Sequence, residues 1–429
     1  MKMTGAKMVT ESLKNEGVEV VFGYPGGAIM NVYDEIYKQT DFKHILTRHE
    51  QAAIHAAEGY AKATGRVGVA IVTSGPGFTN AVTGLADAYM DSIPLVVITG
   101  QVPTTIIGTD GFQEIDAVGI SRPCTKHNYL VNNIKDLPRI IKEAFHIAST
   151  GRPGPVHVDI PKDITAEVAD YLYPAEVNIP TYKPTVNYNK KQLKRAMQAI
   201  AKAKKPLLYV GGGAILSNCA YEIRELAEKL NIPVVETLMA RGVMGHDNPL
   251  LLGMLGMHGE YAANMAAHEA DLLISLGARF DDRVTGRLDE FAKKAKVIHV
   301  DIDPASIAKL VHTNFPIVGD LKVTVQGMID SIGEFEFNDY SNWVALLRDY
   351  RAQHPLAFRD SDTKIKPQWP IVRVGELLGE KAIISTDVGQ HQMWTAQFYP
   401  FSYPRQWNTS GGLGTMGFGL PGAMGVAKA

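Results

Sequence analysis

Several short segments combine residue types and spacings that could do chemistry. Thr47-Arg-His-Glu50 opens an Ala-rich stretch. Thr47 and Glu50 have the spacing of a helix capping box. The same Glu50, kept partly dry at the mouth of an α/β sheet, could instead trade protons with a ring nitrogen. Tyr24-Pro-Gly-Gly-Ala28 follows an apolar run. Its Gly26 and Gly27 either make a tight turn and nothing more, or leave room for a ligand beside the backbone. Ser74-Gly-Pro-Gly-Phe-Thr-Asn80 is a glycine-rich turn into a helix N-terminus, a place suited to polar or anionic groups. No phosphate loop of the G-x-x-x-x-G-K-[ST] kind occurs.

Two further segments lie in the middle of the chain. Gly211-Gly212-Gly213 follows an apolar run but lacks the full G-x-G-x-x-G spacing of a dinucleotide turn. Gly277-Ala-Arg-Phe-Asp-Asp-Arg283 is followed by Asp301-Ile-Asp303. A strand-end Arg279 can clamp a pyrophosphate, and a strand-end Asp301 can accept from ribose hydroxyls. Alternatively Arg279, Asp281, Asp282 and Arg283 satisfy one another as a surface cluster.

The elements that must position these residues read as α/β. Ala6–Asn15 has helical periodicity that Gly17 stops, and Gln51–Thr64 is an Ala-rich helix ended by Gly65. Val18–Phe22 (apolar but for Glu19), Val67–Val72 and Leu95–Thr99 are runs without regular alternation, as in a parallel sheet covered on both faces. Tyr173–Tyr188, with three prolines, reads as a linker. A second α/β pattern follows, with strands at Pro206–Val210, Leu272–Leu276 and Val297–Ile302 and a helix at Tyr221–Leu230. Asp303 and Pro304 read as the start of another helix. Phe335–Trp369 reads as a connector with some helix. A third pattern begins near Ile371 and includes a strand at Ile383–Thr386 and a glycine-rich segment, Gly411–Gly425. The expected fold class is three doubly wound parallel-sheet domains, the third incomplete.

Composition narrows the classes of function. The chain has 429 residues, enough for two to four domains, and 43 basic against 45 acidic side chains gives no electrostatic reason to expect nucleic acid or an anionic membrane. Two cysteines, Cys124 and Cys219, cannot build a disulfide framework. No stretch of roughly 18 apolar residues occurs, and Met1–Thr10 lacks the apolar centre of a signal peptide. A cytoplasmic protein is expected.

Taken together, the segments resemble the acetohydroxyacid synthase family of thiamine-diphosphate enzymes. The likeness is collinear and covers essentially the whole chain. It rests on Phe22-Gly-Tyr-Pro-Gly-Gly27, Arg48-His-Glu-Gln51, Thr73-Ser-Gly-Pro-Gly77, Asp91-Ser-Ile-Pro94 and Gly108-Thr-Asp-Gly-Phe-Gln-Glu114. It continues through Gly151-Arg-Pro-Gly-Pro155, Ile160-Pro-Lys-Asp163, Leu255-Gly-Met-His-Gly259 and Gly277–Arg283. It ends with Asp387-Val-Gly-Gln-His-Gln-Met-Trp394 and Gly412-Leu-Gly-Thr-Met-Gly417.

The resemblance implies a pyrimidine-binding domain over 1–170, a central FAD-binding domain over 190–335, and the first part of a diphosphate-binding domain over 365–429. It implies that Glu50 bonds the aminopyrimidine ring, favouring the imino tautomer that removes the thiazolium C2 proton. Pyruvate would then lose CO₂, and its remnant would add to a second pyruvate or to 2-ketobutyrate. By likeness, Gln113, Phe112 and Lys162 lie near the substrate. Tyr24, Pro25, Gly27, Pro76, Asn80, Gly389, Gln390, His391, Gln392, Gly414 and Met416 contact thiamine diphosphate. Met416 is the residue that bends it. Arg152, Gly211, Gly212, Gly213, Met257, His258, Gly277, Arg279, Asp281, Arg283, Asp301, Ile302 and Asp320 contact FAD.

The implied assembly is a homodimer or a dimer of dimers with the active site at the subunit interface, with a small regulatory subunit as a further partner. The family also carries a Gly-Asp-Gly-Ser motif and a later Asn that hold Mg²⁺. No Gly-Asp-Gly occurs in these 429 residues, so the chain is expected to hold no metal ligand, to stop short of that motif, and to be inactive as it stands. Rival readings are an FAD-dependent pyruvate oxidase, a flavin-free catabolic acetolactate synthase, and an inert fragment.

Overall fold

The apolar runs without alternation become strands buried on both faces. In the computed structural model, which describes all residues 1–429, Gly68–Val72, Leu95–Gln101 and Pro155–Pro161 are buried along their whole length. They belong to a six-stranded parallel sheet ordered Lys43–Leu46, Val20–Gly23, Gly68–Val72, Leu95–Gln101, Pro155–Pro161, His127–Leu130. In chain order this reads 2-1-3-4-6-5. The direction of winding therefore reverses between Val20–Gly23 and Gly68–Val72, and such a reversal opens a crevice beyond the strand C-termini.

The second six-stranded sheet is also parallel, ordered Leu251–Met254, Val234–Glu236, Pro206–Val210, Leu272–Leu276, Lys296–Asp301, Phe315–Val318. In its own chain order this is 3-2-1-4-5-6, with the reversal between Pro206–Val210 and Leu272–Leu276. The strands pack through Leu208, Val210, Ile274, Leu276 and Ile298 against helices that include Lys190–Lys202 and Ala220–Leu230.

The chain divides into two compact units: Met1–Lys183 with Ser385–Val388 and Asn408–Ala429, and Pro184–Ile384 with Gly389–Trp407. Residues 365–429 thus distribute between both. They contribute the helices Gln368–Leu378, Gln390–Phe398 and Gly419–Val426 and one two-stranded pairing.

Two local expectations are corrected and two are sharpened. The capping box of Thr47 and Glu50 does not form. His49 is the N-cap, its Nδ1 accepting from the Gln51 N–H at 3.1 Å, while the Thr47 hydroxyl donates to the carbonyls of Gly23 and His49. Asp303 and Pro304 start no helix: Asp303 accepts from the Ala305 N–H in a turn, and the next helix, Leu321–Asp330, is capped by Asp320. The Phe335–Trp369 stretch holds a full helix, Ser341–Gln353, that buries Trp343, Val344 and Leu347. The Tyr173–Tyr188 stretch has no regular structure, yet Ile179 and Tyr182 pack on the first core. Tyr182 is tied down at its hydroxyl, which donates to the Thr150 carbonyl at 2.8 Å.

Candidate functional site

At the reversal point of the first sheet, two strand ends and one helix start bring the expected residues together. Gly26 serves packing: a Cβ there would lie 2.5 Å from the Thr73 side chain. Gly27 differs, because a Cβ on it meets nothing within 4 Å. Gly75, at φ 55, turns the chain into the helix Pro76–Asp91, with Pro76 in its first turn. Gly77 admits Glu50: a Cβ at Gly77 would sit 3.4 Å from Glu50 Oε1. Glu50, only 7% exposed, opens the helix Glu50–Thr64. Asn80 Nδ2 donates to Glu50 Oε2 at 2.9 Å, and no donor of the protein reaches Oε1. A carboxylate fixed at one oxygen and free at the other is placed to receive a ligand's hydrogen bond. Tyr24 and Pro25 are half-buried on the same turn.

The Glu50 helix also carries a buried polar row that sequence reasoning missed: His55, Glu58 and Lys62. Their spacing, three and then four residues, marks one helix face in an otherwise Ala-rich stretch. His55 Nδ1 lies 3.1 Å from Glu58 Oε1. Burial lowers the His55 pKa to about 4 and raises that of Glu58, which the adjacent Asp87 raises further. The neutral forms are therefore favoured inside. Asp87 accepts from Ser410 and Thr415, and Lys62 pairs with Asp91 at 2.9 Å. Burial works against both charges of that pair, but their mutual attraction wins: Lys62 is raised and Asp91 lowered. Asp91 also accepts from the N–H groups of Gly411 and Gly412.

This scaffold holds the glycine-rich segment that carries Gly414 and Met416. Both Gly414 (φ 70) and Gly417 (φ 86) take a left-handed backbone. Met416 is 82% exposed, while its carbonyl accepts from Gln51 Nε2 at 3.4 Å and Asp387 accepts from the Gly417 N–H.

Phe112 and Gln113 lie exposed on the segment Thr104–Asp116. Gln113 has a left-handed backbone at φ 60, and its Cα would lie 3.0 Å from a Cβ on Gly75. That places Gln113 beside the Gly75 turn of the Glu50 crevice. Lys162 is exposed at the start of the short helix Lys162–Ala166. Arg152 stands elsewhere in this unit, donating from Nε to Ser92 Oγ at 2.8 Å.

In the second unit, the reversal point gathers a different set. Gly211 and Gly213 pack against Gly277: the Gly213 N–H donates to the Gly277 carbonyl at 3.1 Å, and Gly277 has φ 65. A Cβ on Gly212 would lie 3.1 Å from Met239. Asp281 caps a four-residue helix, accepting from the Arg283 N–H at 3.0 Å, and the exposed side chains of Arg283 and Asp282 pair at 3.9 Å. Met257 donates from its N–H to the Arg283 carbonyl at 2.8 Å, which brings those two loops together. The His258 carbonyl accepts from Gln397 Nε2. Asp301 accepts from the Asp303 N–H at 2.9 Å, Ile302 is half-buried beside it, and the Asp320 carboxylate is taken by its helix cap. Gly389, at φ 150, is the N-cap of Gln390–Phe398, where Gln392 is buried and Gln390 and His391 are exposed.

Comparison with known proteins finds three matching domain families. Residues 3–120 match the model of the thiamine pyrophosphate enzyme N-terminal TPP binding domain, 193–328 the central domain, and 387–429 the C-terminal TPP binding domain. The "Acetolactate synthase isozyme 3 large subunit" of Escherichia coli (strain K12) is 49% identical over 433 residues, covering 100% of this chain and 75% of the relative. The "Acetolactate synthase large subunit" of Haemophilus influenzae is likewise 49% identical, covering 100% of this chain and 76% of the relative. The chain belongs to the acetolactate synthase large-subunit family. The "Acetolactate synthase" of Mycobacterium bovis, 51% identical over 99% of this chain and 69% of its own length, belongs to the same group. Within an acetolactate synthase fold, the Glu50 crevice falls in the N-terminal TPP binding match. No helix of the chain is long and apolar enough to cross a membrane.

Proposed function

We propose that the chain acts as the catalytic large subunit of an acetolactate synthase. It decarboxylates pyruvate and joins the two-carbon remnant to a second 2-keto acid, pyruvate or 2-ketobutyrate. The products are 2-acetolactate and 2-aceto-2-hydroxybutyrate, at the first common step of branched-chain amino-acid biosynthesis. The observation that carries the reading is Glu50, nearly buried, held through one oxygen by Asn80 and free at the other.

Thiamine diphosphate supplies the electron sink for both the decarboxylation and the carbon–carbon bond. Glu50 Oε1 would hold the aminopyrimidine ring nitrogen and pass a proton to and from it. Tyr24, Pro25, Gly27, Pro76 and Asn80 would bound the ring, and the open side of Gly27 leaves the space it needs. Gly414 and Met416 would meet the cofactor through the glycine-rich segment. Gly389, Gln390, His391 and Gln392 would meet its diphosphate at the helix N-terminus, where backbone N–H groups favour an anion. Phe112 and Gln113 would face the keto acid, and Lys162 would draw its carboxylate in.

FAD fits the second reversal point. Loops at 211–213, 277–283 and 301–302 leave the carboxyl ends of adjacent strands, the ordinary seat of a dinucleotide. Arg279, Asp301 and Asp320 with Met257, His258, Asp281, Ile302 and Arg283 would line it, and the flavin would be structural. Mg²⁺ would supply countercharge to the diphosphate, and no residue of this chain is assigned to it. The cluster His55, Glu58 and Asp87 brings its atoms within 4.8 Å of one another, yet it is fully buried and one donor is nitrogen. That does not fit an ion that prefers octahedral oxygen and retained water.

The three-domain reading of 1–170, 190–335 and 365–429, a cytoplasmic location, a homodimer or dimer of dimers, and a small regulatory partner complete the proposal. The test is to assay the holoenzyme that contains residues 1–429, supplied with thiamine diphosphate, Mg²⁺ and FAD, for acetolactate, while following the flavin absorbance. Acetolactate formed over an oxidised flavin supports the reading. Acetate formation with flavin reduction would replace it with an oxidase.

A further inference from the structure

Resting on the reading that Phe112 and Gln113 face the keto acid, we infer that Gln101 and Asp159, with Thr104 and Asp163, are positioning residues that clamp both ends of the substrate segment Thr104–Ile115. The segment has no regular structure beyond one short 3₁₀ turn, Thr104–Ile106, so its shape must come from side chains.

Its middle is folded on itself by Glu114. The Glu114 carboxylate accepts from the N–H groups of Gly108 and Gly111, which hold it below the usual carboxylate range. Its first end is held by Asp163, which accepts from both the N–H (3.0 Å) and the hydroxyl of Thr104. Its last end is held by Gln101. Gln101 Nε2 donates at 2.9 Å to the Ile115 carbonyl and at 2.9 Å to Asp159 Oδ2, using both its protons. Asp159 and Asp163 lie on the one segment that also carries Lys162. A single stretch of chain therefore fixes the ends of the loop and presents the cation.

The clamp is backed by a chain of hydrogen bonds inside the sheet. Asp159 Oδ1 accepts from the Thr99 hydroxyl at 2.6 Å. Thr99 Oγ1 lies 2.7 Å from His157 Nε2, and His157 Nδ1 lies 3.0 Å from Ser121 Oγ. With Asp159 ionised, every donor runs toward it: Ser121 to His157, His157 to Thr99, Thr99 to Asp159. With Asp159 protonated on Oδ1, the same chain runs the other way and His157 takes its other tautomer. Each state is fully bonded, so the Gln101 tether to Ile115 survives both. Burial pushes Asp159 up to about 7, the Asp116 charge adding to the rise, and burial pushes His157 down to about 3. The tether thus holds across the neutral range.

The test uses the holoenzyme and four variants, read by amide hydrogen exchange over 104–116, by keto-acid kinetics and by thermal melts. Gln101→Met keeps the volume and removes both bonds. It should speed exchange at Gly111–Ile115 by about tenfold and raise the keto-acid KM by about tenfold, with kcat within about threefold, the signature of lost ground-state positioning. Thr104→Val, a milder change, should do the same at the first end without lowering the melt appreciably. The double variant Gln101→Glu with Asp159→Asn restores a bond between positions 101 and 159 but leaves the Ile115 carbonyl without a donor. It should recover the melt and keep the fast exchange and high KM.

Unchanged exchange in Gln101→Met overturns the clamp, and so does a double variant that regains the wild-type KM. Gln113→Ala separates the two readings. If its keto-acid kinetics equal wild type, the substrate-facing assignment falls, while the exchange data still judge the clamp.

Discussion

The two six-stranded sheets put their winding reversals to different uses. At the first, glycine turns at 24–27 and 73–77 flank a nearly buried carboxylate, Glu50, steadied by Asn80. At the second, glycine turns at 211–213 and 277 pack on one another, and the rim carries Arg279, Asp281 and Asp301. Both architectures offer a crevice beyond parallel strand ends. The proposed roles follow from the rim side chains: a dry carboxylate for proton traffic in one, a charged clamp for a large anionic ligand in the other. Backbone layout gives the seat, and side chains give the chemistry.

The sharpest way to break that contrast is Glu50→Gln. Gln keeps an acceptor for Asn80 but cannot exchange a proton. Turnover should fall roughly a hundredfold or more, the scale of a lost acid–base group, with flavin content and melting temperature unchanged. The rate of cofactor C2 proton exchange, followed by NMR, checks it. Exchange at the wild-type rate would strip Glu50 of its role.

Next in size is packing against opening within one turn. Gly26→Ala drives a Cβ to 2.5 Å from Thr73 and should destabilise by about 1–3 kcal/mol. Gly27→Ala meets no protein atom and should change stability by less than about 0.5 kcal/mol, while weakening thiamine diphosphate measurably. Equal melts for the two variants would show that the turn has no open side.

At the second reversal, Arg279→Met should weaken FAD by about tenfold, the scale of one lost charge-assisted contact, with C2 exchange untouched. Fluorescence titration of the flavin reads it. A loss of C2 exchange with flavin affinity intact would undo the division of labour between the two crevices.

The smallest effect concerns pH. Burial raises Asp159 to about 7 from an ordinary value near 3.9 in the unfolded chain. A raised folded value means a stabilising contribution that is complete below about pH 4 and lost as pH rises through about 7. His157, lowered to about 3, contributes in the opposite sense: its share is complete above about pH 6.5 and lost as pH falls toward 3. Between about pH 4 and 6.5 the two oppose each other. Asp159→Asn removes the first and should steepen the loss of melting temperature on acidification across that window. A variant whose melts parallel wild type from pH 4 to 7 would show that the pair does not compensate.

Much of the first crevice was legible in the sequence because glycine turns and a lone acid at the head of an Ala-rich helix are local signals. The strands were legible because apolar runs such as Leu272–Leu276 need no partner to be recognised. The failures have a common cause. Thr47 and Glu50 had capping-box spacing, but the helix begins at Glu50, one residue after a histidine that serves as the cap. The spacing alone could not say which residue the tertiary crevice would claim. Asp303 and Pro304 had the grammar of a helix start, yet the cap in use, Asp320, follows a further strand. The buried polar residues His55, Glu58, Gln101, His157 and Asp159 drew no notice. Gln101, His157 and Asp159 bond residues 14 to 60 positions away, and a polar side chain inside an apolar strand was the only trace each left, while His55 and Glu58 bond each other on one turn of the Ala-rich helix.

One of those long ties bears on how the molecule is made. Lys62, Asp87 and Asp91 are bonded to residues 409–415, more than 300 positions later, within a unit whose other part ends at Lys183. At ribosomal speeds of about 5–20 residues per second, Asp87 and Lys62 must wait on the order of ten seconds or more for those partners. During that wait an acidic, half-assembled helix pair is exposed, and the unit's closure has high contact order. Refolding of this unit should therefore lag behind the other, whose two stretches are separated only by Ser385–Val388, and chaperones that shield nascent chains would find their longest engagement there.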